Sequence, residues 1–116
     1  MINGKSVVIT GSTSGIGLGM ARKFAAAGAK VMLNGFGDAH EIETTRFELA
    51  EEFGVDVAYS PADVTKPDEI RAMLEQANRE HGSVDILVNN AGVQHTAAIQ
   101  DFPPEKWDLV IATNLS

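Results

Sequence analysis

Apolar residues follow two different spacings along this chain. Short, nearly continuous apolar runs rich in β-branched residues are typical of parallel strands that are buried on both faces. Between them lie longer stretches in which apolar residues recur every three or four positions, as they do on one side of an amphipathic helix. The short runs predict strands at residues 6–10, 30–34, 55–60 and 84–89.

The longer stretches predict helices that end at glycines. Glycine suits the left-handed turn that ends a helix, and Gly28, Gly54 and Gly82 each follow one stretch. Pro67 and the acidic residues after it suit a first helical turn, where N–H groups lack partners and the helix dipole is positive. We predict helices over residues 16–27 and 39–53, and from residue 65 or 66 to Gly82.

A further helix is predicted after the fourth strand, starting at Pro103 or Pro104. It has a broad apolar face, which contains Trp107, Leu109, Val110, Ile111 and Leu115. The fourth strand would then be an open edge of the sheet, and little would cover this helix. We therefore expect the isolated chain to associate.

Strands that alternate with helices predict parallel βαβ units. Right-handed crossovers give the strand order 3-2-1-4 with helices on both faces. The fold class is therefore α/β, a Rossmann-type doubly wound parallel sheet. Without an internal linker, residues 1–116 form one domain or half of one.

Composition narrows the function. The chain of 116 residues is 44% hydrophobic and has a formal charge of −7, which opposes general attraction to nucleic acid or anionic membranes. There is no cysteine, the three histidines are far apart, and metal sites are not expected. The first strand follows the N-terminus at once and no apolar run approaches the roughly 18 residues of a membrane span. We expect a soluble, cytoplasmic protein.

A glycine-rich turn joins the first strand to the first helix. Gly11 permits a tight exit from the strand, Gly15 allows close approach of a phosphate, and Gly17 allows close packing of the helix. The N–H groups of the first helical turn would face a diphosphate, and hydroxyls of Ser12, Thr13 and Ser14 would add donors. The alternative is a tight turn without a ligand. The glycines are spaced G-x3-G-x-G and not G-x-G-x-x-G, and this difference points to one branch of the Rossmann-type folds.

Three motifs in register resemble the short-chain dehydrogenases/reductases. They are the turn at residues 10–17, the pair Asp63-Val64 after strand three, and Asn89-Asn90-Ala91-Gly92 after strand four. The resemblance covers residues 5–116, and loops at residues 33–38, 92–95 and 101–108 look most like bacterial 3-hydroxybutyrate dehydrogenases. It implies that residues 1–116 are the N-terminal, dinucleotide-binding part of a larger single domain, truncated before a catalytic Tyr/Lys pair.

The resemblance implies a role for each matching residue. Asp63 would accept from the adenine amino group and the Val64 backbone would meet the ring edge; the alternative is an acid in the turn before a helix. The run from Asn90 to Gly92 would lie along the ribose, or serve as a structural turn only. The implied cofactor-binding set is Gly11, Thr13, Ser14, Gly15, Ile16, Gly17, Phe36, Asp63, Val64, Asn90, Ala91 and Gly92.

The residues after strand two bear on the choice of cofactor. An acid there binds the 2′-hydroxyl of NAD, whereas Arg or Lys accommodates the phosphate of NADP. Asp38 comes one loop residue too late, Phe36 resembles an adenosine contact, and Ser14 is not basic. Because no Arg or Lys lies between Val31 and Ile42, we predict NAD, with NADP as the alternative.

The family's catalytic residues are Asn, Ser, Tyr and Lys, and Asn114 resembles the first. Its alternative is a polar residue near a helix end. The sole tyrosine, Tyr59, lies in strand three without a neighbouring cation and is excluded as the general acid. Gln94 resembles the residue that holds the substrate carboxylate, although loop glutamines are commonly without function.

The leading hypothesis is therefore an NAD-dependent oxidoreductase that oxidises a secondary alcohol, 3-hydroxybutyrate, as a homo-oligomer such as a homotetramer. A 3-ketoacyl reductase or sugar dehydrogenase of the same family is one alternative. Another is a non-catalytic nucleotide-binding or interaction module, if 116 residues are the whole protein. The chain by itself is predicted to be inactive.

Overall fold

The computed structural model describes residues 2–91 and the backbone of residues 110–113. Strands and helices alternate from the first strand to the fourth, and a fifth strand follows. The elements are β1 (Ser6–Ile9), α1 (Gly15–Ala26), β2 (Lys30–Asn34), α2 (Ala39–Phe53), β3 (Val57–Ser60), α3 (Pro67–His81), β4 (Ile86–Asn89) and β5 (Val110–Thr113).

All pairings in the sheet are parallel, and the strand order is β3-β2-β1-β4-β5. The predicted order 3-2-1-4 and the α/β class are confirmed. Parallel strands in this order bring the carboxyl ends of β1, β2, β3 and β4 to one edge of the sheet. The segments that follow these strands therefore lie next to one another.

Alternate strand residues face opposite sides of the sheet and form two separate cores. Val8, Met32 and Leu87 pack with α3 on one face. Val7, Val31 and Val88 pack on the other face with the small residues of α1 and with Leu49 of α2. Burial on both faces explains why the strands are continuous apolar runs.

Several predicted boundaries differ from the structure by one or two residues. Strand three begins at Val57 and strand four at Ile86, each two residues later than predicted. Val84 is fully buried although it precedes the strand, because apolar runs report burial and not pairing. Strand one ends at Ile9, and the Thr10 N–H still donates to the carbonyl oxygen of Val88 at 3.0 Å.

The prediction of a helix through Val110 and Ile111 is wrong. These residues belong to β5, which pairs with β4 in the register Ile86↔Val110 to Asn89↔Thr113. β-Branched residues suit a pleated strand, and a parallel partner satisfies backbone groups on the outer edge of β4. Strand four is therefore not an open edge. The rest of the predicted helix lies outside the described residues.

Candidate nucleotide-binding site

The glycine-rich turn leaves β1 at the carboxyl edge of the sheet and enters α1 at Gly15. Gly11 and Gly15 both have left-handed backbone, with φ of 61° and 59°. Both positions have a backbone conformation that residues with a side chain rarely adopt. The first turn of α1 is thereby placed above the end of β1, where this architecture binds pyrophosphate.

The atoms around Gly17 leave no room for a side chain at this position. A Cβ atom there would overlap the carbonyl oxygen of Gly11 and lie 2.6 Å from Nδ2 of Asn90. The side chain of Asn90 in turn donates from Nδ2 to the Gly11 carbonyl oxygen at 3.0 Å. The start of α1, the turn and the end of β4 therefore pack against one another at this glycine.

The outer side of the turn is open. A Cβ atom at Gly15 would meet nothing within 4 Å. The N-cap residue Ser14 makes no side-chain capping bond, and the first turn of α1 contains no acidic residue. The N–H groups of this turn and the positive end of the helix dipole thus have no anionic partner within the first turn itself.

Two of the hydroxyls that the sequence offered as donors are already engaged. The Ser12 hydroxyl is buried, donates to the Ile9 carbonyl oxygen at 2.7 Å and accepts from the Asn34 N–H at 3.0 Å. The Thr13 hydroxyl donates to the carbonyl oxygen of Phe36 at 3.3 Å. These bonds attach the turn to the residues that follow β2 and make Ser14 the better placed donor.

The segment after β4 is tied to the same turn. Thr10 Oγ1 donates to Oδ1 of Asn89 at 3.4 Å, and the Ala91 N–H donates to Thr10 Oγ1 at 3.0 Å. Together with the Asn90 bond, these contacts make the Asn89–Ala91 run part of the turn's support. The structural role left open by the sequence is therefore present at Asn90 and Ala91. Gly92, Gln94 and Asn114 lie outside the described residues.

Asp63 lies in the turn between β3 and α3. Its Oδ1 accepts from both the N–H of Thr65, at 2.9 Å, and the Thr65 hydroxyl, at 2.7 Å. These hydrogen bonds to Thr65 lower the pKa of the Asp63 carboxyl below its ordinary value, so the group is ionised at neutral pH. Val64 is partly buried against the core. The turn role of Asp63 is thus evident, and both of these bonds end on one oxygen.

The residues after β2 present an apolar side chain and no free acid. Phe36 is 70% exposed, and Ile16 at the start of α1 is 63% exposed. Asp38 caps α2, where its side chain accepts from the His40 N–H at 2.8 Å. Gly35 has φ of 151°, and a Cβ there would lie 2.5 Å from Thr13 Oγ1. The first position after β2, Gly35, thus has no room for a side chain.

Sequence reasoning missed Asn34, the last residue of β2. This buried side chain donates from Nδ2 to the carbonyl oxygens of Ser60 and Ala62 and accepts at Oδ1 from the Gly11 N–H. The signal was available in the sequence. A polar amide that ends an otherwise apolar, doubly buried run needs internal partners.

Tyr59 donates from its hydroxyl to the carbonyl oxygen of Gly35, and burial raises its pKa above the ordinary value. This moves the group further from acid–base work at neutral pH, in agreement with its exclusion as the general acid. Within residues 2–91, no three His, Asp or Glu side chains converge as metal ligands. None of the helices in this part of the chain is long and apolar enough to cross a membrane.

Comparison with known proteins identifies the family. The family model for short chain dehydrogenases matches residues 5–116. The chain belongs to the short chain dehydrogenase family. The resemblance inferred from the motifs at residues 10–17, 63–64 and 89–92 is confirmed, and the family is one of oxidoreductases.

The similar relatives include two proteins called D-beta-hydroxybutyrate dehydrogenase. The chain is 53% identical over its whole length to the one from Cupriavidus necator and covers 44% of that protein. It is 54% identical over 97% of its length to the one from Rhizobium meliloti and covers 43% of that protein. The chain thus spans less than half the length of these curated relatives.

Solved structures give the same fold. L-sorbose reductase from Gluconobacter frateurii, complexed with NADPH and L-sorbose, is 39% identical with a TM-score of 0.71 over 90% of this chain and 39% of that chain. The NADH-dependent reductase A1-R′, complexed with NAD, is 37% identical with a TM-score of 0.71 over 79% of this chain and 38% of that chain. The predicted Rossmann-type architecture of this short chain dehydrogenase is therefore confirmed.

Proposed function

We propose that this chain is the nucleotide-binding part of an NAD-dependent dehydrogenase that oxidises 3-hydroxybutyrate. The observation that carries the substrate is the identity of 53% and 54% to two D-beta-hydroxybutyrate dehydrogenases. In this reaction, the carbon that bears the hydroxyl would lose a hydride to bound NAD, and the hydroxyl proton would pass to a general base. Acetoacetate and NADH are the products.

The residues present fit a dinucleotide at the carboxyl edge of the sheet. Gly15 opens space in front of the first turn of α1, and that turn contains no acid that would repel a diphosphate. When bound, the nicotinamide group would accept the hydride. The chain's own contribution would be to bind and orient it through the turn Gly11–Gly17, with Asp63 and Val64 at the adenine side, Phe36 beside the adenosine, and Asn90, Ala91 and Gly92 along the ribose.

NAD is favoured over NADP by what surrounds the loop after β2. This loop contains no Arg or Lys, and its acid, Asp38, caps α2. The extra phosphate of NADP would meet no cation here, while the chain has a formal charge of −7. Calorimetric titration with both dinucleotides tests this, and equal affinity for NAD and NADP would contradict it.

We further propose that the catalytic Tyr/Lys pair belongs to a part of the domain outside residues 1–116. The coverage of 44% and 43% of the two dehydrogenases supports a longer native protein. The 116-residue chain alone is then expected to be inactive, with Asn114 and Gln94 as its contributions to catalysis and to binding of the substrate carboxylate. A native mass equal to the 12.3 kDa of this chain would instead favour a non-catalytic nucleotide-binding module.

The deciding assay uses the protein at its native length. We expect NADH formation from NAD and D-3-hydroxybutyrate, and loss of that activity in Gln94→Ala because the substrate carboxylate loses its amide donor. A homo-oligomer is expected by sizing chromatography and a cytoplasmic location by cell fractionation. Absence of turnover with this acid, together with turnover of other alcohols, would contradict the assignment.

A carbohydrate reductase is the second candidate. The chain is 37% identical over 96% of its length to 5-keto-D-gluconate 5-reductase from Escherichia coli. L-Sorbose reductase, among the similar solved structures, is a second reductase of a carbohydrate. Reduction of 5-ketogluconate or L-sorbose by the native protein, without activity on 3-hydroxybutyrate, would favour this reading.

A further inference from the structure

Three strand ends meet at the side-chain amide of Asn34. This side chain is only 2% exposed. Its Oδ1 accepts from the N–H of Gly11, after β1, at 3.2 Å. Its Nδ2 donates to the carbonyl oxygens of Ser60, at the end of β3, and Ala62, just after it, at 3.1 and 3.0 Å. Both amide hydrogens and the amide oxygen are therefore used.

The backbone of Asn34 strengthens the link to the glycine-rich turn. Its N–H donates to Ser12 Oγ at 3.0 Å, and its carbonyl oxygen accepts from the Ser12 N–H at 2.6 Å. The turn is thus bonded to Asn34 at Gly11 and at Ser12. On the other side, Ala62 directly precedes Asp63, the residue at the proposed adenine side.

We propose that Asn34 is a positioning residue of the nucleotide site. Its amide holds the phosphate-binding turn at a set distance from the Asp63–Val64 segment, so that one dinucleotide contacts both at once. Asn34 acts through Gly11 and Ala62. This inference rests on the proposed function, because it assumes that a dinucleotide spans these two segments.

Other residue types at this position would break the link in distinguishable ways. Alanine would leave a partly buried N–H and two buried carbonyl oxygens without this partner, and unsatisfied groups of this kind are costly. Aspartate keeps an acceptor for the Gly11 N–H but turns a carboxylate oxygen toward the carbonyl oxygens of Ser60 and Ala62. The first change removes the amide link to both segments and the second removes it only on the β3 side, while the backbone bonds between Asn34 and Ser12 remain in both.

The test compares two ligands in the protein at its native length. NAD reaches both segments, whereas adenosine contacts only the adenine side. In Asn34→Ala we expect the dissociation constant of NAD, measured by calorimetry, to rise by about tenfold or more, and that of adenosine, measured by NMR titration, to rise by less than about threefold. A loss of folded protein alone would weaken both ligands by the same factor, and that result would overturn the inference.

Leu49→Ala is the matched control. Leu49, on α2, is buried in the core, and its truncation should lower thermal stability without removing any bond of the Asn34 amide. We expect its ratio of NAD to adenosine affinity to equal that of the wild type. A similar change of the ratio in Leu49→Ala would show that general loosening, and not the Asn34 amide, is responsible.

Amide hydrogen exchange gives a readout that needs no cofactor. In Asn34→Ala the Gly11 amide should exchange on the order of tenfold faster, while the Val8 amide in the middle of β1 should not change. In Asn34→Asp, which also serves if the alanine variant does not fold, Gly11 should stay protected while NAD affinity falls. Unchanged Gly11 exchange in the alanine variant would overturn the inference. Failure of the wild type to bind NAD would overturn the proposed function instead.

Discussion

Helices α1 and α3 both begin at the carboxyl edge of the sheet, but only α3 provides anionic partners at its own amino end. The first turn of α3 contains Asp68 and Glu69, and the Glu69 carboxylate accepts from the N–H of Asp63 at 2.9 Å. The first turn of α1 has no acid, and neither helix has a side-chain cap. Under the proposed function, α1 keeps its donors for the diphosphate, whereas acids in the first turn of α3 stabilise that helix end.

The amino end of α1 is poorly stabilised by its local sequence. Gly15 and Gly17 each lose more backbone conformational entropy on folding than a residue with a side chain. The helix is held instead by packing, because Ala21 and Ala25 are buried against the sheet on the side of Val7 and Val31. Small side chains bring α1 close to the strands, and this places its open end over β1.

The largest effect is expected from Gly17→Ala, which disrupts the close packing between the start of α1 and the glycine-rich turn. The new Cβ would overlap the Gly11 carbonyl oxygen, so the turn must shift. We expect a loss of about 1 to 3 kcal/mol in the free energy of unfolding and no detectable NAD binding. Chemical denaturation and calorimetry measure the two quantities.

Gly19→Ala, in the same helix, is the control for this substitution. A Cβ at Gly19 would meet nothing within 4 Å, so alanine should stabilise the helix by about 0.5 to 1 kcal/mol and leave NAD binding intact. If both variants behaved alike, the turn would not be held by close packing at Gly17.

A smaller effect is expected when α1 is given the acid that α3 already has. Ile16→Glu places a carboxylate in the first turn of α1 and should stabilise the helix by about 0.3 to 1 kcal/mol. It should weaken NAD binding by about tenfold at low salt, and by less at high salt, because it repels the diphosphate. Calorimetry at two salt concentrations checks this.

Asp68→Asn, in the first turn of α3, is the partner variant. Asp68 pairs with Arg71 at 2.8 Å and lies in the helix that supplies its own partners. We expect a small loss of stability and an unchanged affinity for NAD. An equal effect of both substitutions on NAD binding would remove the distinction between the two helix ends.

A cation after β2 should change the choice of cofactor by several-fold. Phe36→Arg adds a guanidinium beside the open end of α1, and we expect the ratio of NADP to NAD affinity to rise by about fivefold to tenfold. Phe47→Arg is the control, since Phe47 is also exposed but lies on α2. An unchanged ratio in Phe36→Arg would place the adenosine elsewhere.

The smallest effect concerns the other end of α3. His81 is buried in its last turn, and burial is the main cause that lowers its pKa below 6.5; Lys30 adds to this, while Asp56 and Glu80 oppose it. The folded state therefore disfavours the proton that the unfolded state takes up. Stability from this group is present above about pH 6.5 and is lost as the pH falls toward the lowered value.

The loss of stability should be the smallest of these effects, and His81→Phe should flatten its dependence on pH. Melting temperatures of both proteins between pH 7.5 and pH 5.5 provide the measurement. If the wild type and the variant lost stability in parallel, the imidazole of His81 would not be the group that responds.

The spacing of apolar residues, together with the rule of right-handed crossovers, predicted the strand order and the position of the glycine-rich turn. This worked because the strands are buried on both faces and the helices on one, so that each leaves its own period in the sequence. The turn lay between two such elements, and its glycines could only be placed where β1 passes into α1. The three family motifs could be located in the same way, because each lies at or just after the end of a predicted strand.

Partners that lie far apart in the chain were decided only by the tertiary structure. Val110 and Ile111 have an apolar pattern that fits a helix or a strand, and the unpaired edge of β4 selects the strand. The acids Asp38 and Asp63 are a local exception: each could serve a ligand or a turn, and the folded backbone brings an N–H group two residues away to each carboxylate. The Asn34 amide satisfies groups 23 to 28 residues away, a choice that exists only once three strands lie side by side.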